Sequence, residues 1–148
     1  MKIFLTGATG FVGSVVAEKL KGKGYKVSAL ARNDDAAAKL EAKNIEVLRG
    51  ELSDFDVLKQ GAGEADAVIH TAFSHNFADY NDAVKLDREV IKTFGEALAQ
   101  SNKPLIASFD FVSPKTDELD VMIKGLFDCA NASPKVLITS RSSLTASL

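Results

Sequence analysis

Three glycines, Gly7, Gly10 and Gly13, stand between a short apolar run and a helical one. That placement constrains this chain more than any other feature. Ile3-Phe4-Leu5 before them reads as a buried strand, and Val12, Val15, Val16 and Leu20 after them recur at helical spacing. Strand, glycine turn and helix follow in the order that a nucleotide diphosphate needs. A helix N-terminus carries unpaired N–H groups and a partial positive charge. Glycines in the turn allow φ above zero, let the backbone approach a pyrophosphate, and let the helix lie close to the sheet. A glycine triplet alone is a weak signal, since glycines also serve plain turns; the strand before and the helix after make it a strong one.

The rest of the chain alternates strands and helices with short connections, which implies βαβ units and a parallel sheet. Strands are expected at Lys2–Leu5, Lys26–Ala31, Ile45–Arg49, Ala67–His70, Pro104–Phe109 and Lys135–Ser140. Helices are expected at Gly10–Lys23, Asp34–Lys43 with Asn33 or Asp34 as its cap, and Asp79–Ser101. A short one is capped by Ser53 and ended by Gly61 and Gly63, and another spans Asp117–Ala132. The fold class is therefore α/β, a Rossmann-like doubly wound parallel sheet in a single domain over residues 1–140. The tail 141–148 has no periodicity and is expected to fray. In the Asp79–Ser101 helix, Val84, Val90, Ile91, Phe94 and Leu98 form one apolar stripe. The stripe suits a core-facing helix or a homodimer contact.

Composition narrows the function classes. At 148 residues with 46% hydrophobic and 26% charged side chains, the chain is long enough for one substantial core. A net charge of −2 leaves no electrostatic footprint for nucleic acid. No apolar run is long enough to cross a bilayer, and Met1-Lys2 opens a strand rather than a signal peptide. The single Cys129 has no internal disulfide partner, so the expected compartment is the cytoplasm. His75 has no second ligand at metal spacing, and no metal site is expected.

The end of the second strand bears on which dinucleotide is held. An acid there binds the ribose 2′-OH of NAD, whereas a nearby Arg accommodates the 2′-phosphate of NADP. This chain reads Ala31-Arg32-Asn33, and a guanidinium can clamp a phosphate through two hydrogen bonds. NADP is favoured over NAD, with Asp34 and Asp35 near enough in sequence to reach a ribose.

The run Thr6-Gly7-Ala8-Thr9-Gly10-Phe11-Val12-Gly13 resembles the TGxxGxxG fingerprint of the short-chain dehydrogenase/reductases, in their extended or atypical, epimerase/dehydratase-like branch. The resemblance extends from Met1 to about Asp120. It implies dinucleotide contacts from Gly7, Thr9, Gly10, Phe11, Val12 and Gly13. It also implies adenine contacts from Glu51 and Leu52, because Gly50-Glu51-Leu52-Ser53-Asp54 is similar to the family's Gly-Asp-Leu-x-Asp stretch with Glu in place of the first Asp. Thr71, Ala72 and Phe73 map onto the segment that passes under the cofactor, and His70 reads as a packing residue at a strand end. Ser108 falls where the family places a catalytic Ser or Thr.

The family's catalytic Tyr-x-x-x-Lys pair, however, is missing. Tyr80 is followed by Lys85 five residues on, and Lys124 has Asp120 four residues before it. An ionised carboxylate does not donate the proton that a phenol would, and Asp120 with Lys124 reads as a solvated i,i+4 pair. The resemblance implies the cofactor-binding portion of a carbonyl-reducing oxidoreductase that is truncated relative to the family. A different class, a non-catalytic NADP(H)-binding sensor, shares the intact glycines and the missing Tyr. So do a flavin or NAD(P)H isomerase-type reductase without the pair and a structural remnant without ligand.

Overall fold

In the computed structural model, residues 1–73, 80–101, 103–109 and 136–140 are described. Six strands, β1 (Lys2–Thr6), β2 (Lys26–Ala31), β3 (Glu46–Arg49), β4 (Ala67–His70), β5 (Leu105–Phe109) and β6 (Val136–Ser140), form one sheet in the order β3-β2-β1-β4-β5-β6. All five pairings are parallel. Among the described residues four helices connect the first five strands: α1 (Phe11–Gly22), α2 (Asp34–Glu41), α3 (Phe55–Glu64) and α4 (Tyr80–Leu98). This is the doubly wound order in which chain direction across the sheet reverses between β1 and β4, and ligands of such sheets bind at that switch point. The expected helix over 117–132, the tail 141–148, His75, Asp120, Lys124 and Cys129 lie outside the described residues.

Period-two alternation sorts the sheet into two faces. Phe4 and Val68 face α3 and α4 and join Leu58, Val90, Phe94, Leu98 and Leu105 in one buried cluster. Their neighbours Leu5 and Ile69 face α1 and α2, in a second cluster with Ala17, Val27, Ala29, Ala37 and Leu40. Strands covered on both sides need apolar residues at successive positions, which is why β1 reads as an unbroken apolar run. From the α4 stripe, Val90, Phe94 and Leu98 join the first cluster, where Phe94 meets Phe4 edge to face with centroids 6.1 Å apart; Ile91 is buried and Val84 half-buried.

Helix ends follow local chemistry. Asn33 caps α2 by accepting a hydrogen bond from the Ala36 N–H at 2.9 Å, which decides between Asn33 and Asp34. At the end of α1 the Gly24 N–H bonds the Lys21 carbonyl and the Tyr25 N–H the Leu20 carbonyl, with Gly24 at φ +81°. That pairing is a Schellman stop.

The short helix after β3 departs from expectation at both ends. Its N-cap position is Asp54 rather than Ser53, and the Asp54 carboxylate accepts from the Glu51 N–H at 2.6 Å instead of from the helix. Gly61 and Gly63 do not end it; α3 runs to Glu64. Gly61 lies on the Phe4 ring, and a Cβ there would sit 2.6 Å from ring carbons. This glycine brings helix and sheet together, a tertiary demand that looks like a breaker in one dimension.

Candidate functional site

Because all strands are parallel, their carboxyl ends share one edge, and the expected cofactor-binding residues lie along it. β1 leads into the glycine turn, Arg32 follows β2, and Gly50-Glu51-Leu52 follows β3. Thr71-Ala72-Phe73 follows β4. The register pairs Thr6 with His70, Ala31 with Arg49, and His70 with Ala107, so Ser108 stands one residue beyond the His70 level on β5.

The three glycines of the turn have different reasons to be glycine. Gly7 has φ +76°, and a Cβ on it would lie 2.6 Å from the Ala72 nitrogen. A Cβ on Gly13 would collide with the Gly7 carbonyl oxygen and lie 2.8 Å from Thr71 Oγ1. Both are demanded by the fold. Gly10 is not: its φ is −78°, and an added Cβ would meet only the Gly7 oxygen, at 3.3 Å. Its bare, exposed face looks outward, where a ligand's backbone-hugging group would otherwise meet a methyl.

Gly10 is also the N-cap of α1. It offers no side-chain cap, and the first turn holds no acidic residue. The intrahelical ladder begins with the Ser14 N–H on the Gly10 carbonyl at 2.9 Å, so the N–H groups of Phe11, Val12 and Gly13 precede it. Uncapped donors at a glycine-lined helix start suit an anionic diphosphate. Phe11, at the head of that helix, is 89% exposed, and Thr9 is exposed beside it.

The β2–β3 side is open and charged. Arg32 is exposed, and among the described residues its guanidinium has no ion-pair partner. Asp34, by contrast, pairs with Arg49 at 2.7 Å. Glu51 is exposed, whereas Leu52 is half-buried and packs on the α3–α4 cluster. Thr71 is buried and its hydroxyl donates to the Thr6 carbonyl at 2.7 Å, so its hydrogen is committed to bracing the turn. Ala72 supplies the wall against Gly7, and Phe73 next to it is half-buried.

Sequence reasoning missed one constellation. His70 is fully buried, and both ring nitrogens are engaged: Nδ1 with Thr6 Oγ1 at 2.5 Å and Nε2 with Asp87 Oδ1 at 2.9 Å. Thr6 and Asp87 are also buried. The available signal was Asp87 itself, which stands three residues before Val90 and seven before Phe94, at a core-facing position of the α4 stripe. Among the described residues no group of three or more His, Cys, Asp or Glu is arranged to hold a metal ion. No helix among them is long and apolar enough to cross a membrane.

A family model described as NAD(P)H-binding matches residues 7–108, the span from the glycine turn to the end of β5. The chain belongs to that NAD(P)H-binding family. Among curated proteins it is 44% identical over 108 residues to the uncharacterized protein YLL056C of Saccharomyces cerevisiae, covering 72% of this chain and 36% of that protein. The chain thus spans about a third of the length of the curated relatives it matches.

Solved structures of similar shape include the UDP-Glc/GlcNAc 4-epimerase of Campylobacter jejuni. Its TM-score is 0.72 at 19% identity, over 94% of this chain and 52% of that one. The triphenylmethane reductase of Citrobacter sp., complexed with NADP(H), has a TM-score of 0.69 at 16% identity, over 93% and 48%.

Proposed function

We propose that this chain is the NADP(H)-holding domain of an oxidoreductase that reduces a carbonyl by hydride transfer, acting in the cytoplasm. The observation that carries the cofactor choice is the contrast at the end of β2. Arg32 is exposed and unpaired among the described residues, while Asp34, the acid nearest in sequence, is taken by Arg49 at 2.7 Å. A free guanidinium favours a 2′-phosphate, and an acid already neutralised by a cation competes poorly for a ribose hydroxyl.

The N–H groups of Phe11, Val12 and Gly13 would hold the pyrophosphate, with Gly10 leaving room for it. Arg32 would hold the 2′-phosphate, Glu51 and Leu52 would border the adenine, and Ala72 and Phe73 would line the path toward the nicotinamide. When bound, the nicotinamide supplies the hydride. Ser108, at the same sheet edge, is the residue proposed to polarise the substrate carbonyl. With no Tyr-x-x-x-Lys in the sequence, the proton donor of the family pattern is not among this chain's residues, and turnover by the 148-residue chain alone is expected to be slow.

Calorimetric titration with NADPH and with NADH tests the reading. Preferential NADPH binding that Arg32→Ala removes supports it; equal losses for both dinucleotides would show that Arg32 does not meet the 2′ position. Binding of neither would sink the cofactor assignment.

A further inference from the structure

Resting on the reading that the glycine turn holds NADP(H), we propose that the buried line Thr6–His70–Asp87 is a positioning device for the dinucleotide. It ties the cofactor turn to helix α4, so that a carboxylate distant from the ligand sets how tightly the ligand is held.

For a neutral His70 ring beside an accepting carboxylate, Nε2 carries the hydrogen that Asp87 Oδ1 receives at 2.9 Å. With its hydrogen there, the ring accepts at Nδ1, and the Thr6 hydroxyl donates to it at 2.5 Å. His70 is clamped from a third side by Phe94, edge to face with ring centroids 5.7 Å apart. Thr6 and His70 are partners in the β1–β4 register, which places this line at the switch point beneath the turn.

Thr6 is the last residue before Gly7 and is held at two places. Its side chain is fixed by His70, and its carbonyl accepts from both the Thr71 hydroxyl at 2.7 Å and the Thr71 N–H at 3.2 Å. The peptide between Thr6 and Gly7 is therefore oriented through its carbonyl and through the Thr6 side chain beside it. That plane aims the Gly7 backbone, whose carbonyl receives the Gly10 N–H at 2.9 Å and abuts Gly13. A swing at Thr6 is transmitted to both later glycines and to the helix start. All three relay residues are buried, so none touches the ligand; they act as positioning residues. An apolar core would supply the burial without this directionality, and a buried polar chain is costly unless every member is satisfied.

The test uses the full chain with NADPH as probe and reads three quantities: NADPH Kd by calorimetry, melting temperature without ligand, and the side-chain nitrogen signals of His70. The sequence contains only two histidines, so the His70 pair is assigned by its loss in His70→Gln. Thr6→Val keeps the shape and removes the hydroxyl. It should raise the NADPH Kd about tenfold, a moderate coupling between sites, while Thr6→Ser restores wild-type affinity. Asp87→Leu, remote from the ligand, should behave as Thr6→Val, and Asp87→Asn, which still offers an oxygen to Nε2–H, should stay near wild type.

In the wild type NADPH should shift the His70 Nδ1 signal, and in Thr6→Val it should not. A Thr6→Val protein that melts earlier but binds NADPH with unchanged Kd would overturn the proposal, leaving the line a stabilising network only. So would a wild-type His70 signal indifferent to NADPH. Should Asp87→Leu fail to fold, the Thr6 pair decides. A wild type that binds neither NADPH nor NADH would instead bring down the cofactor reading, and this inference with it.

Discussion

The β1–β4 seam and the β2–β3 edge both face the proposed dinucleotide, yet they are built on opposite terms. At the seam Thr6, His70, Thr71 and Asp87 are all buried, Gly7 and Gly13 are pressed against backbone, and the Thr6 hydroxyl, both His70 ring nitrogens and the Thr71 hydroxyl have partners. At the edge Arg32, Asp34, Arg49 and Glu51 are exposed, joined only by the Asp34–Arg49 pair. On the proposed reading the seam sets where a pyrophosphate goes and cannot change without disturbing the fold, whereas the edge sets which dinucleotide is preferred and can be rewritten while the fold stands. Burial makes the difference, because a group removed from water must keep its partners, whereas an exposed one exchanges them for solvent.

Gly13→Val should break the comparison most violently. Its side chain would occupy the place of the Gly7 carbonyl oxygen, so a stability loss of about 3 kcal/mol or more is expected, as for severe overpacking. Thermal melting would show it as early unfolding with no rescue by NADPH. Gly10→Ala belongs to the same turn but should separate the two demands. The protein tolerates the methyl at 3.3 Å, with a loss of up to about 1 kcal/mol for a poorer N-cap, while NADPH affinity falls sharply. If Gly10→Ala binds NADPH as the wild type does, the ligand does not approach that face.

On the open edge the expected effects are smaller and fall on selectivity. Arg32→Ala should weaken NADPH by about 10–100-fold, the loss of a charge-assisted pair. It should leave NADH and the melting temperature nearly unchanged. Arg49→Ala releases Asp34 toward the ribose and should move the NADPH-to-NADH preference by less than about fivefold, in favour of NADH, in keeping with the small worth of exposed pairs. A shift the other way would show that Arg49 itself meets phosphate.

The smallest effect lies away from the site. Lys43, hydrogen-bonded to Glu18 at 2.7 Å, holds that carboxyl below its ordinary value of 4.5. A depressed folded-state value contributes stability above the unfolded value, and that contribution is lost as pH falls through the folded one. Glu18→Gln should therefore lower the melting temperature slightly near neutral pH, with the difference closing in acid. A difference that grows in acid would have the sign wrong.

Much of this was legible in the residues. Strands β2 and β4 have the bounds that alternation and turn signals indicate, and the others agree within a residue or so at each end. The glycine turn, Arg32 and Thr71-Ala72 could be placed at strand ends from sequence because the signals are local: a turn needs φ above zero, and the end of an apolar run marks the end of a strand. Ser53 was mistaken for a cap because capping depends on where one carboxylate turns, and Asp54 turns back to Glu51. Gly61 was mistaken for a helix end because its reason is a ring 57 positions earlier in the chain, that of Phe4.

By itself the sequence determined the alternation of elements, the parallel sheet and the place of the glycine turn, because these follow from periodicity and from backbone freedoms that single residues confer. Only the tertiary structure decided that Gly7 and Gly13 serve the fold while Gly10 faces outward. Only it decided that Val90, Phe94 and Leu98 of the α4 stripe pack into the core, and that Asp87, His70 and Thr6 form one line. Those facts are distances between residues remote in the chain. They are set by how two helical layers close on a sheet, and no window of sequence holds both partners.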